Sequence, residues 1–346
     1  MVQIRTVTSY GPGAGSARVR VFDWLDHLAI EADSFTYLGR STNSLGSLAK
    51  EPFRIPGVEA ELRRLVRTAE GTTVLLSRQA SPFSNGLVER DLLARSSHGV
   101  YDFDDALMHT PVSRRESVWS KRRVWRKSVE GANTVIAGND FLASEASRHH
   151  RNVVVIPSCV APESYLVKAQ YGIHEVPRAV WLGSPSTELY LKGIAGPLLA
   201  VHETRGLRLS VVSAGNASLG ALDKMVDRVE WARSTFQQEL VKADFGIMPL
   251  VDSLWSRGKC AYKLLQYGAA GLPMLGSAVG ANDSVLKDAD GMAVSSDSEW
   301  RDALESLVDE PENRRSSRGQ NGRLAIQAKY SYTAWADSWQ SAMGLA

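Results

Sequence analysis

Short apolar runs of strand length alternate with longer segments of helical periodicity along the whole chain. In the helical segment 17–32, for example, Phe22, Leu25 and Leu28 recur at helical intervals, and Ser16 is available as the N-cap. Nine runs are predicted to be strands: residues 2–7, 73–77, 99–103, 134–137, 153–156, 179–183, 207–212, 245–250 and 273–276. Strands that alternate with helices indicate right-handed βαβ units and parallel sheets, which means an α/β fold.

So many strands in 346 residues favour two doubly wound domains over a single sheet. The predicted boundary is the polar stretch 171–178, because a new strand followed by glycine begins at residue 179. The predicted domains are therefore 1–170 and 171–325, followed by a helical tail at 326–346. A single domain with a long insertion is the alternative. In the tail, Trp335 and Trp339 are four residues apart, which is typical of a stripe that faces the core.

Composition and charge exclude several classes of protein. Apolar residues at 44% and charged residues at 23% are typical of globular proteins and exclude collagen-like, disordered and disulfide-rich chains. The 40 Lys and Arg against 38 Asp and Glu leave a net charge of +2 without a basic stripe, which argues against nucleic-acid binding. Cys159 and Cys260 are too far apart for a zinc motif. No signal peptide or apolar run of about 18 residues is recognisable, so a soluble, cytoplasmic protein is expected.

The loops that follow strands are the places to look for a site, because ligands of α/β sheets bind at the carboxyl ends of strands. The first such loop reads GPGAGSAR at residues 11–18. Its glycines would let the backbone approach a ligand, and the following helix start offers N–H groups to an anion or a sugar hydroxyl. It matches neither a dinucleotide fingerprint nor a Walker motif, and a flexible turn is the alternative. The candidate residues are Gly13, Gly15, Ser16 and Arg18.

The second candidate loop reads YDFDDALMH at residues 101–109. Strand alternation places Asp102 and Asp104 on one side, and Asp105 begins the next loop. Crowded carboxylates could bind a metal, act as acid and base, or accept hydrogen bonds from sugar hydroxyls. Helix capping by Asp104 or Asp105 is the alternative. His109 by itself is more typical of a surface or core histidine.

Two further loops could bind phosphate. The third reads GSPST at 183–187 and has Lys192 nearby, although its hydroxyl residues are also ordinary helix caps. The fourth spans 249–273, and a helix is predicted to begin in it near Gly258. That helix would place Lys259 and Lys263 on one face beside free N–H groups, which would suit a diphosphate. A solvated helix face is the alternative.

At these loops the sequence resembles the GT-B glycosyltransferases, specifically the retaining, nucleotide-sugar-dependent enzymes of the family 4-like group 1. Segments 13–18, 155–157, 181–185, 243–250, 249–273 and 280–282 resemble family motifs in the family's order. The resemblance implies two Rossmann-like domains facing a central cleft, with the tail 326–346 packing back on the N-terminal domain. The sequence departs from the family where Gly258 and Gln266 replace two donor-site glutamates, and where Ser158 replaces an asparagine.

The resemblance implies transfer of a sugar from a nucleoside-diphosphate sugar to an acceptor hydroxyl, with retention and without a metal or cofactor. The residues it implies for the diphosphate are Gly183, Ser184, Arg257, Lys259 and Lys263. Gly258 and Gln266 would bind the ribose or the sugar. The implied catalytic residues are Asp104, Asp105 and His109, with the 11–18 loop on the acceptor side. A degenerate protein that only binds nucleotide sugars, or a nucleotide-sugar epimerase, is the alternative.

The donor base and the acceptor stay open at this point. The donor could be UDP-, GDP- or dTDP-linked, and the acceptor could be a carbohydrate, a lipid-linked sugar, a protein or a small molecule. A basic segment that begins at Ser113 contains Arg114 and Arg115, and Trp119 and Trp125 are interleaved with its cations. It could contact an anionic acceptor or a membrane surface, and a solvated helix is the alternative.

Overall fold

The computed structural model describes residues 3–43, 45–110 and 118–345. The chain divides into two compact units. Unit 1 comprises Met1–Ser158, Arg257–Cys260 and Trp335–Ala346, and unit 2 comprises Cys159–Ser256 and Ala261–Ala334. Unit 1 thus ends its first segment at Ser158, whereas the predicted boundary follows residue 170. Arg114 and Arg115 of the basic segment lie outside the described residues.

Unit 1 is built on a six-stranded parallel sheet with the strand order β2-β1-β3-β4-β5-β6. Its strands are β1 (Gln3–Thr8), β2 (Asp33–Thr36), β3 (Thr72–Ser77), β4 (His98–Phe103), β5 (Thr134–Ala137) and β6 (Val153–Val155). In the register of the central strands, Val7 pairs with Leu76, and Leu76 pairs with Tyr101. Every residue of β3 is buried, as expected for a parallel strand covered on both faces.

The described helices of unit 1 begin with α1 (Gly15–Ala17) and α2 (Asp23–His27), which a π-helical turn (Arg18–Phe22) joins. They continue as α3 (Leu45–Leu48), α4 (Ile55–Arg67), α5 (Leu87–Arg95), α6 (Lys121–Gly131) and α7 (Asp140–Ser147). The prediction of a helix over 17–32 capped by Ser16 is wrong at both ends. Ala14 is the N-cap, and Ser16 lies inside the helix, where its hydroxyl donates a hydrogen bond to Asp104 and does not cap the helix.

Unit 2 contains a second six-stranded parallel sheet with the order β12-β11-β10-β7-β8-β9. Its strands are β7 (Arg178–Leu182), β8 (Arg208–Ser213), β9 (Val226–Glu230), β10 (Phe245–Met248), β11 (Met274–Ser277) and β12 (Met292–Val294). Alternate residues of β7 enter different apolar clusters: Trp181 packs in one, and Val180 and Leu182 pack in the other. The sheet is therefore covered on both faces.

The helices that follow along the chain are α8 (Leu189–Lys192), α9 (Ala195–Arg205), α10 (Phe236–Lys242), α11 (Leu254–Arg257), α12 (Tyr262–Ala269), α13 (Ala281–Asp288), α14 (Asp297–Asp309), α15 (Glu312–Lys329) and α16 (Tyr332–Ala342). From Trp335 onward, α16 belongs to unit 1. There the Trp339 ring stacks on Trp24, with centroids 5.3 Å apart. None of the described helices combines the length and the apolarity needed to cross a membrane.

The predicted α/β fold with parallel sheets is confirmed, and all nine predicted strands are present with small shifts at their ends. The prediction missed three described strands, β2, β9 and β12. Each of them is an edge strand of its sheet and leaves several residues partly exposed. The strands β2 and β9 mix polar and apolar residues and so lack an apolar run, and β12 is only three residues long. The remaining edge strand, β6, is a run of three valines and was predicted.

Candidate functional site

A charged cluster lies where three neighbouring strands of unit 1 end. Ser16 comes after β1, Arg78 after β3, and Asp104 and Asp105 after β4. Nη1 of Arg78 donates hydrogen bonds to Oδ1 of Asp104 at 3.0 Å and to Oδ2 of Asp105 at 2.6 Å. The Ser16 hydroxyl donates to the same Asp104 oxygen at 2.8 Å. The structure thus brings together three predicted site residues and adds Arg78, which the sequence analysis did not identify.

Lys259 is the fifth member of this cluster, because its Nζ donates to Oδ1 of Asp105 at 2.7 Å. Burial alone would raise the pKa of Asp105, but the charges of Arg78 and Lys259 outweigh burial and lower that pKa to about 2. Asp105 is therefore ionised at neutral pH and holds no proton for acid catalysis. The cluster is still accessible, since 14% of the Asp104 side chain and 22% of the Lys259 side chain are exposed.

The backbone around Arg78 fixes its position in the cluster. Its φ of 66° lies in the left-handed region, which costs a residue other than glycine about 1 kcal/mol or more. Its N–H donates to the carbonyl of Asp102 at 2.9 Å, and its own carbonyl accepts from the Tyr101 hydroxyl at 2.9 Å. In the loop beyond, the buried carboxylate of Glu89 accepts from the N–H of Ala80 at 3.0 Å. These bonds hold the conformation in which the guanidinium meets the carboxylates.

The segment Arg257–Cys260 fits closely into unit 1. Nδ2 of Asn139 donates to the carbonyl oxygens of Arg257 at 3.2 Å and Lys259 at 3.1 Å. The Cys260 thiol donates to the carbonyl of Asp104 at 3.3 Å, and burial raises the pKa of this thiol well above its usual range. Three hydrogen bonds therefore fix the segment that carries Lys259.

Gly258 is the one member of this segment that must lack a side chain. A Cβ on it would lie 2.6 Å from Cβ of Ala106 and 2.7 Å from the Ala106 nitrogen. Gly258 is also one of the two positions where the resemblance leads us to expect glutamate. In this chain no glutamate fits there unless the backbone of Ala106 moves.

His109 lies near the same strand end but pairs with a different carboxylate. Its Nε2 is 3.2 Å from Oε2 of Glu145, in a close ion-pair arrangement that is not aligned as a hydrogen bond. The other oxygen of Glu145 lies 2.8 Å from Arg148. His109 therefore belongs to a histidine–carboxylate pair that the sequence analysis did not foresee, because Glu145 comes from α7.

Asp102, which the alternation argument grouped with Asp104, has a different environment. Arg20 in the π-helical turn donates to both carboxylate oxygens of Asp102, and each side chain is only 1% exposed. Arg20 also donates to the carbonyl of Ile156 at 2.9 Å. The buried Arg20–Asp102 pair therefore stabilises the end of β4 and is shielded from ligands.

Arg18, a candidate of the first loop, forms an ion pair with Asp23. Its Nε lies 3.7 Å from Oδ2 of that carboxylate.

Gly13 and Gly15 of the first loop line open space. A Cβ on Gly13 would find its nearest atom 4.0 Å away, and one on Gly15 would meet nothing within 4 Å. Packing therefore does not require glycine at either position. The space that these residues leave is compatible with a ligand and also with a simple turn, the two alternatives left open above.

In unit 2, Lys263 lies beside Gly183 at the end of β7. Its Nζ is 5.3 Å from the centroid of the Trp181 ring, a cation–π distance. A Cβ on Gly183 would lie 2.7 Å from Cε of Lys263 and 2.4 Å from the Trp181 ring. The glycine therefore leaves the room in which the lysine stem and the indole pack, so this strand end carries a fixed positive charge.

The helix that carries Lys263 is tied to two strands. The Tyr267 hydroxyl accepts from the N–H of Leu182 at 3.0 Å and donates to the carbonyl of Ile247 at 3.2 Å. At the preceding residue, Nε2 of Gln266 donates to the Tyr165 hydroxyl at 3.4 Å. The two bonds of Tyr267 attach α12 to the ends of β7 and β10.

The remaining candidate of unit 2, Ser184, begins the short turn Pro185–Thr187. Its hydroxyl lies 3.1 Å from that of Ser186 and 3.3 Å from that of Thr187. The preceding N–H, that of Gly183, is donated to the carbonyl of Val212 at 3.1 Å. At this strand end Gly183 therefore supplies space, and hydroxyl groups line the turn that follows.

The prediction that Lys259 and Lys263 share one helix face is wrong. The helix α12 begins at Tyr262, and Ala261 before it has a φ of 53°, so the helix does not extend back to Gly258. Lys259 belongs to unit 1 and Lys263 to unit 2. The physical reason is that the hydrogen bonds from Asn139 hold the carbonyls of the preceding segment in a conformation that is not helical.

No protein-family model matches the chain, and no curated protein matches it by sequence. Solved structures do resemble it. WaaG, a glycosyltransferase involved in lipopolysaccharide biosynthesis, is 14% identical with a TM-score of 0.68 over 99% of this chain and 100% of that chain. HepE from Anabaena, in complex with UDP and glucose, is 14% identical with a TM-score of 0.69 over 99% of each chain. A UDP-forming α,α-trehalose-phosphate synthase from Burkholderia vietnamiensis is 10% identical with a TM-score of 0.69 over 99% of this chain and 100% of that chain.

The chain has the GT-B fold. This agrees with the resemblance of the loop motifs, although identities of 10–14% are far below the level at which a sequence comparison would find it. In this GT-B chain the charged cluster of unit 1 and the group of Gly183, Ser184 and Lys263 in unit 2 both lie at carboxyl ends of parallel strands, where ligands of such sheets bind. Of the residues missed, Arg78 could have been found by the same rule, since it directly follows the predicted strand 73–77.

Proposed function

We propose that this GT-B protein is a glycosyltransferase that moves a sugar from a nucleoside-diphosphate sugar to an acceptor hydroxyl, with retention and without a metal ion. The observation that carries the proposal is the placement of Lys263 beside Gly183 at a strand end of unit 2. The GT-B fold supports it, and so does the binding of UDP and glucose by the structural relative HepE. Retention rests only on the resemblance to the retaining group.

In this proposal unit 2 binds the donor. Lys263 supplies the positive charge for the diphosphate, and Ser184 supplies hydrogen-bond donors where the chain leaves β7. Gln266 takes the place of a glutamate next to the ribose, where its amide can donate or accept a hydrogen bond without carrying charge. As the glycosidic bond breaks, negative charge accumulates on the leaving diphosphate. A lysine already held in place stabilises that charge more in the transition state than in the ground state.

The cluster of unit 1 receives the acceptor in this proposal. Asp104 and Asp105 accept hydrogen bonds from acceptor hydroxyls, and His109 with Glu145 is the pair suited to proton transfer. Asp105 acts as a fixed carboxylate, because the neighbouring cations keep its pKa at about 2. Arg257 and Lys259, which the resemblance assigns to the diphosphate, lie in the unit 1 segment.

The test is a thermal-shift measurement with a panel of UDP-, GDP- and dTDP-sugars on the full chain. At least one of them should raise Tm, and Lys263→Ala should lower the affinity for that donor by about tenfold or more. Lys287→Ala is the matched control, because this exposed lysine of unit 2 pairs, in the described part of the chain, only with Asp283 one helical turn away. If no nucleotide sugar shifts Tm, or if Lys263→Ala binds the donor as tightly as the wild type, the donor site is not where we propose.

The replacement of two glutamates by Gly258 and Gln266 favours one second candidate, a protein that binds nucleotide sugars without transferring them. Product analysis separates the two candidates. A glycosylated acceptor formed from donor plus acceptor supports the transferase. Tight donor binding with no product supports the degenerate binder, and a changed sugar formed from donor alone would indicate an epimerase.

A further inference from the structure

Among the described residues, the charges of the unit 1 cluster balance. Its two cations, Arg78 and Lys259, face its two carboxylates, Asp104 and Asp105, and each carboxylate bonds at least one of the cations. A phosphate or carboxylate placed there would meet Asp104 and Asp105, and an ammonium group would meet Arg78 and Lys259. A group without net charge meets no such repulsion.

The cluster also has hydrogen-bonding atoms that are available to a ligand. Within the described residues, all the hydrogen bonds of the Arg78 side chain come from Nη1, and those accepted by the Asp104 side chain go to Oδ1. That leaves Nε and Nη2 of Arg78 as donors and Oδ2 of Asp104 as an acceptor. A hydroxyl group both donates and accepts hydrogen bonds without carrying charge, so it can pair with both sets of atoms. The two side chains are 15% and 14% exposed, so a ligand can reach them.

The cluster is fixed before any ligand arrives. The left-handed backbone of Arg78 and its hydrogen bonds with Asp102 and Tyr101 set the direction from which the guanidinium enters. Strain of this kind persists only where the surroundings enforce it, and it is concentrated at functional sites. A prearranged set of donors and acceptors selects ligands by their charge and hydrogen-bonding pattern, because it cannot rearrange to suit others.

We propose that the acceptor presents an uncharged hydroxyl group of a sugar or polyol to this cluster, and that Arg78 is the positioning residue that sets this preference. The inference rests on the proposed function and deepens it by naming the acceptor class. It assigns Lys259 to the balance of charge around Asp105, and it follows that removal of either cation leaves the cluster with a net negative charge.

The experiment measures release of nucleoside diphosphate from the best donor of the thermal-shift panel, with matched acceptors added. There are three sets of acceptors, built on glucose, galactose and mannose. Each set contains the neutral sugar, the 2-amino sugar, the uronate and the 6-phosphate of the same ring. In the wild type, a neutral member should give the highest kcat/KM. In Arg78→Met that value should fall at least tenfold, and the amino sugar of the same ring should become the best acceptor. Arg78→Lys, which keeps the charge, should keep the preference for the neutral sugar.

Two further variants test whether the change in acceptor preference comes from the charge of the cluster. Lys259→Met removes the second cation and should shift the preference toward the amino sugar in the same direction. It also provides the charge test if Arg78→Met fails to fold. Arg90→Met is the control, since this exposed arginine pairs with Asp91 on the surface of unit 1 and should leave the acceptor preference as it is.

The inference is overturned if a charged member is the best wild-type acceptor, if no member stimulates release, or if the cation variants keep the wild-type preference. Those results leave the donor shift of Tm intact and so leave the proposed function standing. Absence of any Tm shift with nucleotide sugars is a different result, and it contradicts the proposed function itself.

Discussion

Gly183 shows how one missing side chain can position a functional one. Because a Cβ there would lie within 2.7 Å of Lys263 and within 2.4 Å of the Trp181 ring, Gly183→Ala should displace the lysine. We expect donor affinity to fall by about tenfold or more while the protein stays folded. Isothermal titration with the best donor measures this. Gly196→Ala is the control, since nothing lies within 4 Å of that Cβ; equal losses in both variants would contradict the packing argument.

Asp105 makes a prediction about stability and pH. Its pKa is lowered from 3.8 in the unfolded chain to about 2 in the folded one, so its charge stabilises the fold at pH values above 3.8. The contribution is about 2 kcal/mol, roughly half of it lost by pH 3 and the rest as the pH falls through 2. Urea unfolding between pH 6 and 3 should therefore show a steeper loss of stability for the wild type than for Asp105→Asn. Parallel pH profiles would mean that Arg78 and Lys259 do not hold this carboxylate ionised.

At the residue scale, the sequence allowed acidic and glycine positions of the candidate site to be predicted, but not the side chains that pair with them. Asp104, Asp105 and Ser16 could be predicted because they occupy loops after strands. Arg78 was overlooked, although it directly follows the predicted strand 73–77, because a single arginine at a strand end matches no motif. Its role depends on a left-handed backbone and on carboxylates about 26 residues away in the chain, and neither can be read from local spacing.

The tail helix α16 makes a prediction at the scale of elements. Trp339 is 1% exposed and stacks on Trp24 at 5.3 Å, whereas Trp335 is only partly buried. Trp339→Ala should cost about 3–5 kcal/mol of unfolding free energy, and Trp335→Ala clearly less. Chemical denaturation of the two variants measures the difference. Equal costs would show that the stacked pair does not anchor the helix.

The central strands and the edge strand β6 could be predicted, and the edge strands β2, β9 and β12 could not. A buried parallel strand needs an apolar run, which the sequence displays, but β2 and β9 pair on one side only and contain polar residues, and β12 is only three residues long. The start of α12 was also misjudged. The helix was predicted to begin near Gly258, but side-chain hydrogen bonds from Asn139 hold the carbonyls of Arg257 and Lys259, and the helix begins only at Tyr262.

At the scale of the whole molecule, the net charge of +2 comes from nearly equal numbers of basic and acidic residues, 40 and 38, several of which pair with each other. Arg20 pairs with Asp102, and two cations meet two carboxylates in the unit 1 cluster. Lys263 of unit 2 packs against an aromatic ring. The GT-B fold could be inferred from the order of the loop motifs, and it is confirmed by solved structures that share only 10–14% of residues with this chain.

The most direct test of the central claim is a crystal structure of the protein with a bound nucleoside diphosphate, with UDP, GDP and dTDP tried in parallel. The account predicts diphosphate oxygens within hydrogen-bond distance of Nζ of Lys263, beside Gly183 and the turn that begins at Ser184. A nucleotide bound at any other place in the chain would contradict the account.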